Sequence, residues 1–289
     1  MKPAAFEYFA PETRAESLAL LATHEGAKPL AGGQSLVPAM NFRLARPAVL
    51  VDLNRIADLS DISAGDTLRI GAMTRQAALE RSPNVAKLAP LVAEAMPHVA
   101  HLPIRNRGTI GGNLAHADPA SELPAVMVAL GARFRLESSR GERWVKAEEF
   151  FLGLFATLLE PGELLVEIEI PKPAVRNGHA FIEVARRHGD YALAGAAASM
   201  SLNDRGECTD AKLVLFGVGE GPWLAARAND LITGDRPDVN RIAAAAEAVR
   251  SDVDPPSDIN ASASYRRHLA GVLARRVLER ASGRARAAA

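Results

Sequence analysis

Two short glycine-rich segments contain the residues whose types and spacing best suit ligand binding. The first is Ala31-Gly32-Gly33-Gln34-Ser35, and the second is Thr109-Ile110-Gly111-Gly112-Asn113. Glycine permits positive φ and a close approach of the backbone to a ligand. Successive backbone N–H groups in such loops bind phosphate oxygens. Two loops of this kind predict one extended ligand whose diphosphate is held from both sides.

The common nucleotide-binding motifs are absent from the sequence. Gly217-Val218-Gly219-Glu220-Gly221-Pro222 comes nearest to G-x-G-x-x-G, but its sixth position is proline. No G-x-x-x-x-G-K-[ST] sequence occurs, so neither a dinucleotide-binding Rossmann motif nor a P-loop is supported. A single Gly-Gly pair is most often a plain turn. The residues that flank the two loops therefore decide the interpretation.

Three longer segments carry a family resemblance. They run from Lys28 to Pro38 (KPLAGGQSLVP), from Ile104 to Pro119 (IRNRGTIGGNLAHADP) and from Arg186 to Leu193 (RRHGDYAL). In order and spacing they resemble the FAD-binding medium subunit of the molybdenum hydroxylases, the group of xanthine dehydrogenase and aerobic carbon monoxide dehydrogenase. The resemblance extends over essentially the whole chain. It implies an FAD-binding domain of the vanillyl-alcohol-oxidase type (PCMH type), made of two subdomains, with a smaller C-terminal domain.

The resemblance also implies the site residues, which would hold FAD noncovalently. Both loops would wrap its diphosphate, Glu122 would bind the adenosine part, Leu165 would approach the cofactor and Tyr191 would lie beside the isoalloxazine. Some relatives place a flavin-contacting lysine in the strand at Phe181–Val184, where this chain has none. With three polar neighbours of the second loop added, the predicted cofactor-binding residues are Lys28, Pro29, Leu30, Ala31, Gly32, Gly33, Gln34, Ser35, Leu36, His101, Thr109, Ile110, Gly111, Gly112, Asn113, His116, Asp118, Glu122, Leu165 and Tyr191.

Several polar residues near the second loop have two interpretations each. His98 and His101 have a spacing that metal ligands use, but no further ligand lies nearby in the sequence, so we predict no metal site. His116 and Asp118 form either an acid–base pair or, for Asp118, the cap of the helix that follows. Arg105 and Arg107 either screen the diphosphate or contact a partner subunit. No Ser-His-Asp or Cys-His arrangement is indicated, and we predict no catalytic residue.

Composition excludes several classes of protein. The formal net charge is zero, which argues against a nucleic-acid binder. Cys208 is the only cysteine, so the chain forms no internal disulfide and holds no all-cysteine iron–sulfur cluster. Residues 1–6 lack the apolar core of a signal peptide, and no apolar run is long enough to span a membrane. We expect a soluble, cytoplasmic protein.

The elements that must position the loops follow from periodicity and turn signals. Thr13 predicts the N-cap of a first helix, and Val49–Leu53 reads as a buried strand that closes a β-α-β-like unit. Residues 84–96 predict one helix, and residues 132–145 predict a hairpin. Three strands followed by three helices then predict an α+β C-terminal module with three antiparallel strands and a helix bundle.

Turn residues also predict the domain boundaries. Pro171-Lys172-Pro173 and the following Asn177-Gly178 separate an FAD-binding domain (1–174, with subdomains of about 1–57 and 58–174) from a C-terminal domain (178–282). Residues 283–289 are predicted to be a disordered tail. From Arg266 onward the chain has seven arginines and one acid, which is either a solvated helix face or a docking surface for an acidic partner.

Taken with the resemblance, these observations predict an FAD-binding electron-transfer subunit of a heteromeric molybdenum hydroxylase. The molybdenum cofactor would lie on a large subunit and [2Fe-2S] clusters on a small subunit, in a dimer of heterotrimers. A self-contained FAD-dependent oxidase or reductase of the same fold is the alternative. A small-molecule-binding or assembly protein without redox turnover is a third possibility.

Overall fold

The computed structural model describes residues 1–288, and its first unit is a small parallel sheet. Strands β1, β2 and β3 pair in the order β1-β3-β2, so their carboxyl ends meet at one edge. Thr13 caps the first helix by accepting a hydrogen bond from the Glu16 amide, as predicted. The elements are β1 (Glu7–Phe9), α1 (Arg14–Thr23), β2 (Lys28–Leu30), α2 (Leu36–Asn41) and β3 (Val49–Asp52).

The second unit is an antiparallel sheet of five strands in the order β4-β5-β10-β6-β7. The predicted hairpin at residues 132–145 is confirmed as the β6–β7 pair, which turns at Ser138 and Gly141. Strands β8 and β9, which fall between β7 and β10 in the sequence, pair with each other in a separate two-stranded ribbon. The strands are β4 (Ile62–Ala64), β5 (Thr67–Gly71), β6 (Arg133–Ser138), β7 (Gly141–Lys146), β8 (Phe151–Gly153), β9 (Ala156–Thr157) and β10 (Leu164–Pro171).

Short helices connect these strands and carry the second glycine loop. The prediction of a single helix over residues 84–96 is wrong. One helix ends at Leu88, and after Ala89 a second helix begins with Pro90 as its first residue. Two 3₁₀ turns cover Ala57–Leu59 and Met96–His98. The helices are α3 (Gln76–Arg81), α4 (Pro83–Leu88), α5 (Pro90–Ala95), α6 (Leu102–Arg105), α7 (Ile110–His116), α8 (Glu122–Ala129) and α9 (Ala147–Phe150).

The C-terminal unit is an antiparallel sheet covered by helices. Its three long strands match the predicted three, and a two-residue fourth strand adds to the edge. The α+β class is thereby confirmed. The elements are β11 (Asn177–Ala185), β12 (Ala192–Leu202), β13 (Cys208–Phe216), β14 (Trp223–Leu224), α10 (Ala226–Ile232), α11 (Val239–Asp252) and α12 (Ala263–Ala287).

The disordered tail predicted for residues 283–289 is wrong over residues 283–287, which continue helix α12. Ala285 is fully buried, and Arg284 donates to Glu94 (2.6 Å) and to the His179 carbonyl (2.6 Å). These contacts hold the last turns of the helix on the protein. Arg286 also donates, to the Pro237 carbonyl (2.8 Å). The last residue, Ala289, lies outside the described residues.

One apolar core joins the second unit to the C-terminal sheet. Phe181 and Phe216 stack with ring centroids 5.6 Å apart and belong to the same buried cluster as helices α5 and α8. The Gly217 amide donates to the Pro119 carbonyl (2.8 Å), which ties the end of β13 to the turn before α8. Within residues 1–288, no helix is both long and apolar enough to cross a membrane.

Candidate cofactor-binding site

The first glycine loop leaves strand β2 and enters helix α2. Gly33 has φ of +73°, a backbone conformation that residues with a Cβ rarely adopt. Gly32 is required for a different reason: a Cβ there would lie 2.4 Å from the Arg107 carbonyl oxygen and 2.7 Å from Gly108 Cα. The first glycine of the pair therefore permits contact with the segment before the second loop, and the second permits the turn.

The backbone of this loop directs its carbonyls to the protein and leaves its amides free. The Gly32 carbonyl accepts from Gln34 Nε2 (3.1 Å), and the Ala31 carbonyl accepts from Asn54 Nδ2 (2.9 Å). Within the described residues, the amides from Gly32 to Ser35 donate to no protein acceptor. Ser35 occupies the N-cap position of α2, but its side chain makes no capping hydrogen bond. Four consecutive amides without a protein acceptor suit phosphate oxygens.

The second loop differs, because its amides are already bonded within the protein. Thr109 caps helix α7 through its side chain, and the loop lies against the end of strand β5. The acceptors are Thr74 O for the Ile110 amide (3.1 Å), Ala72 O for the Gly111 amide (2.8 Å) and Thr109 Oγ1 for the Gly112 amide (3.0 Å). The expectation that both loops offer their amides to a diphosphate is therefore wrong for residues 110–112.

The second loop instead supports the first. A Cβ on Gly111 would lie 2.4 Å from Ala72 Cβ, so only glycine lets α7 pack against this strand. A Cβ on Gly112 would lie 3.2 Å from Ala31 Cβ. Asn113 Oδ1 accepts from the Ser121 hydroxyl (2.9 Å), which ties α7 to the start of α8. The two loops come from different subdomains and meet in direct contact.

A cleft of about 340 Å³ lies in front of the first loop. Asp52, at the end of β3, and Asn54 line it opposite the loop, and Arg107 lines it from the second subdomain. Arg75 donates to Asn54 Oδ1 (2.6 Å) and to the Arg107 carbonyl. Parallel strands bring the first loop and Asp52 to the same edge of the sheet. The sequence predicted a β-α-β-like unit of this kind, but it did not lead us to name Asp52, Asn54 and Arg75 as site residues.

The charge in this cleft suits an anion. Within residues 1–288, no carboxylate forms an ion pair with Arg107. Burial lowers the pKa of Arg75, and the neighbouring Arg107 charge lowers it further. The negative charge of a diphosphate would offset both effects on the pKa of Arg75. Arg105 has no such role: it is buried and donates to Glu80 (3.0 Å) and to the Val99 carbonyl, so it holds the chain before the loop.

Tyr191 and His101 do not line the cleft at the first loop but lie close to each other. A Cβ on Gly189, which has φ of +86°, would lie 2.5 Å from the His101 ring, so His101 packs against the loop that carries Tyr191. The Tyr191 side chain is largely exposed (66%), while desolvation of its hydroxyl, followed by the Asp118 and Glu122 charges, raises its pKa.

Glu122 is the first residue of α8 and is 5% exposed. Burial raises its pKa to about 8, and the Glu183 charge also raises it, whereas its own amide and His98 lower it. It does not line the cleft at the first loop. Glu183 and His98, which approach each other to 3.4 Å, are further residues that sequence reasoning did not connect with this site.

His116 and Asp118 do not form the acid–base pair that was one of the two interpretations. The His116 ring packs on Phe155 with centroids 5.1 Å apart. Asp118 Oδ1 accepts from the Ala120 amide (2.9 Å) in the turn before α8, and Ser121 occupies the N-cap itself. Asp118 therefore shapes the turn that leads into the helix.

The other predicted residues take supporting positions. Lys28 and Pro29 are exposed on β2, while Leu30 lines the cleft. Leu36 begins helix α2. Leu165 is 7% exposed and packs in the main core on β10. Among the residues that the structure describes, no group of three or more His, Cys, Asp or Glu side chains could hold a metal ion.

Comparison with known proteins shows the family of this chain. The sequence matches the family described as FAD binding domain in molybdopterin dehydrogenase over residues 4–173, and the CO dehydrogenase flavoprotein C-terminal domain over residues 179–281. It is 42% identical to the 6-hydroxypseudooxynicotine dehydrogenase complex subunit alpha of Paenarthrobacter nicotinovorans, covering 99% of this chain and 97% of that protein. It is also 42% identical to the carbon monoxide dehydrogenase medium chain of Afipia carboxidovorans, covering 99% and 100%.

A solved structure supports the same family. Carbon monoxide dehydrogenase from Hydrogenophaga pseudoflava, in a form that lacks the Mo-pyranopterin moiety of the molybdenum cofactor, superposes with a TM-score of 0.95 at 40% identity, covering 98% of this chain and 99% of that chain. The resemblance drawn from the three motifs is confirmed. This chain belongs to the family of FAD-binding medium subunits of the molybdenum hydroxylases.

Proposed function

We propose that this chain is the FAD-binding electron-transfer subunit of a heteromeric molybdenum hydroxylase. The observation that carries the proposal is the first loop, where the amides from Gly32 to Ser35 donate to no acceptor within residues 1–288 and where Gly32, Gly33 and Gln34 line a cleft together with Arg107. Such a site fits the diphosphate of FAD. The chain's full-length similarity to medium subunits of dehydrogenase complexes supports the rest of the assignment.

The chain's own residues would hold the cofactor at three places. The amides of the first loop and the Arg107 guanidinium would bind the diphosphate. Asp52 and Asn54, at the carboxyl end of β3, offer hydrogen-bonding groups to a ribose or adenine beside it. Tyr191 would lie against the isoalloxazine, with His101 fixing its loop. FAD, when bound, supplies the redox chemistry.

Electrons would reach this subunit from [2Fe-2S] clusters on a small subunit and leave to an external acceptor. The clusters must lie elsewhere, because Cys208 is the only cysteine and it is buried. The organic substrate would be oxidised at a molybdenum cofactor on a large subunit. We further propose a dimer of heterotrimers located in the cytoplasm. No side chain of this chain needs to act as an acid, base or nucleophile on that substrate.

Purification of the chain tests the proposal. The chain, alone or in its complex, should be yellow, and acid precipitation should release FAD rather than FMN into the supernatant. Without its partners it should not oxidise carbon monoxide, purines or N-heteroaromatic compounds with a dye acceptor. With coexpressed molybdenum and iron–sulfur subunits it should copurify as a heteromer.

Two outcomes would contradict the proposal. A colourless chain that takes up no FAD on reconstitution would remove its basis. Efficient turnover of an organic substrate by the isolated, metal-free chain would favour the self-contained oxidase or reductase.

A further inference from the structure

One carboxylate lines the cleft at the first glycine loop. It belongs to Asp52, which ends strand β3 and shares the cleft with Gly32, Gly33 and Arg107. Within residues 1–288, no arginine, lysine or histidine forms an ion pair with this carboxylate. A cleft that suits a diphosphate therefore also contains a negative charge that no protein cation neutralises.

Hydrogen bonds fix the position of the Asp52 carboxylate. Its Oδ1 accepts from the Asn54 amide (2.9 Å) and from Asn54 Nδ2, and its Oδ2 accepts from the Tyr8 hydroxyl (2.5 Å). A carboxylate has about four acceptor positions, divided between its two oxygens. Both positions on Oδ1 are therefore filled, whereas one position on Oδ2 remains for a donor from a ligand.

Further contacts fix the carboxylate relative to the phosphate-binding loop. Asn54 Nδ2 also donates to the Ala31 carbonyl (2.9 Å), and Asn54 Oδ1 accepts from Arg75 (2.6 Å) of the second subdomain. Leu30, which ends β2 just before the loop, pairs with Asp52 in the parallel sheet. The distance between the loop and the carboxylate is thus set by backbone and side-chain contacts together.

A carboxylate in this position selects among ligands. It accepts a hydrogen bond from a hydroxyl group and repels a phosphate, as acidic side chains do beside the ribose in other dinucleotide sites. FAD has hydroxyl groups on both sides of its diphosphate, on the ribose and on the ribityl chain. Tyr191, which we place against the isoalloxazine, does not line this cleft, so the ribose is the group that belongs beside Asp52.

We propose that Asp52 determines specificity for the adenosine half of the cofactor, an inference that rests on the proposed function. Its Oδ2 accepts a ribose hydroxyl beside the diphosphate, and its charge rejects nucleotides that carry a phosphate on that ribose. Asn54 and Tyr8 are positioning residues, because they bind the carboxylate and hold it beside the loop.

The test is isothermal titration calorimetry of the full chain freed of FAD, with two matched pairs of ligands. ADP-ribose is compared with 2′-phospho-ADP-ribose, and dephospho-coenzyme A with coenzyme A, which carries a 3′-phosphate. In at least one pair, the added phosphate should weaken binding to the wild type by about tenfold or more. ADP that lacks the corresponding hydroxyl should also bind about tenfold more weakly than ADP.

Variants separate the charge of Asp52 from the shape of the cleft. Asp52→Asn keeps the size of the side chain and should remove most of the penalty for the added phosphate. Asp230→Asn, at an exposed position on α10, is the matched control and should keep the full penalty. Equal binding within both pairs by the wild type, or an undiminished penalty in Asp52→Asn, would overturn the proposal.

The positioning role of Tyr8 has its own variant. Tyr8→Phe removes one of the hydrogen bonds that hold the carboxylate and should lower the penalty for the added phosphate, though by less than Asp52→Asn. Tyr265→Phe alters another tyrosine with an exposed side chain and should leave the penalty unchanged. An unchanged penalty in Tyr8→Phe would overturn the positioning role.

FAD uptake by the same samples distinguishes this inference from the proposed function. A chain that takes up no FAD but discriminates within a ligand pair through Asp52 would contradict the proposed function and leave the specificity site in place. A chain that takes up FAD but binds both members of each pair equally would do the reverse. FAD uptake without measurable binding of ADP-ribose or dephospho-coenzyme A would also overturn the specificity site.

Discussion

Neighbouring glycines serve different purposes in the first loop. Gly33 supplies a positive φ, whereas Gly32 supplies space for the backbone of Arg107 and Gly108. The first requirement belongs to the loop itself, and the second arises only when the two subdomains meet. Substitution of Gly33 should therefore strain the loop, whereas substitution of Gly32 should disturb the contact between the subdomains, although both glycines belong to one motif.

Gly32→Ala should separate the two loops. The added methyl would lie 2.4 Å from a backbone oxygen, which no side-chain rotation can relieve. We expect a loss of about 1–3 kcal/mol in unfolding free energy, together with a lower FAD content. Gly65→Ala is the matched control, because its Cβ would meet nothing closer than 4.0 Å. Wild-type FAD content in Gly32→Ala would show that contact between the loops is not needed for binding.

Glu122 should make the free energy of unfolding fall as the pH rises, which is the reverse of the usual effect of a carboxyl group. Its pKa is about 8 in the folded chain and about 4.5 when unfolded, so the folded state binds the proton more tightly. Its contribution is therefore greatest below about pH 4.5 and is lost as pH rises towards about 8. Urea unfolding of Glu122→Gln should lack this part of the decline, and the exposed Glu149→Gln should retain it. Parallel curves for Glu122→Gln and wild type would contradict this account.

At the scale of elements, helix α12 holds the two large units together. Gly178 on β11 lies so close to α12 that a Cβ would be 2.0 Å from the Ala281 carbonyl oxygen. Arg284, one turn further along the helix, reaches across to Glu94 on α5, and Arg280 lies 3.6 Å from the same carboxylate. Part of the basic face predicted from composition is thus an internal contact between domains.

Arg284→Ala should weaken this contact. The Arg284 side chain is 41% exposed, so solvent screens its ion pair, and we expect a loss of only about 0.5–1.5 kcal/mol in unfolding free energy. Burial, and next the Arg284 charge, lower the pKa of His179, so the variant should raise that pKa in an NMR titration. Arg276→Ala, an exposed position on the same helix, should change neither quantity. An unchanged His179 titration in Arg284→Ala would contradict the assigned contact.

Sequence reasoning found the elements whose signals are local. Glycine pairs, proline turns and alternating strands act over a few residues, so the loops, the β6–β7 hairpin and the C-terminal strands were predicted. The contact between His98 and Glu183 was not, because these residues meet only through the packing of α5 and the turn after it against β11. The end of α12 was missed for the same reason: Ala285 is helical because β11 lies beneath it.

At the scale of the whole molecule, the site lies where the small parallel sheet meets the second unit. The apolar cluster of the small sheet, which includes Leu18, Val51 and Ile56, extends to Leu164 and Val166 on β10 of the second unit. Arg14 reaches from the small unit to Glu137 on β6 (2.6 Å), and the glycine loops are also in contact. A ligand bound to the first loop and to Arg107 would add a further connection. FAD should therefore stabilise the relation between the subdomains as well as the loop that it contacts.

Hydrogen–deuterium exchange should detect this coupling. On addition of FAD, exchange should slow at residues 32–35, whose free amides gain phosphate acceptors. It should change less at residues 110–112, whose amides are already bonded to Thr74, Ala72 and Thr109. ADP, which has the diphosphate without the flavin, should protect the first loop but leave the loop of His188 and Tyr191 unchanged. Equal gains of protection in both glycine loops would show that the second loop also opens to bind phosphate. No gain at residues 32–35 would contradict the phosphate site, since the amides of these residues have no other acceptor within residues 1–288.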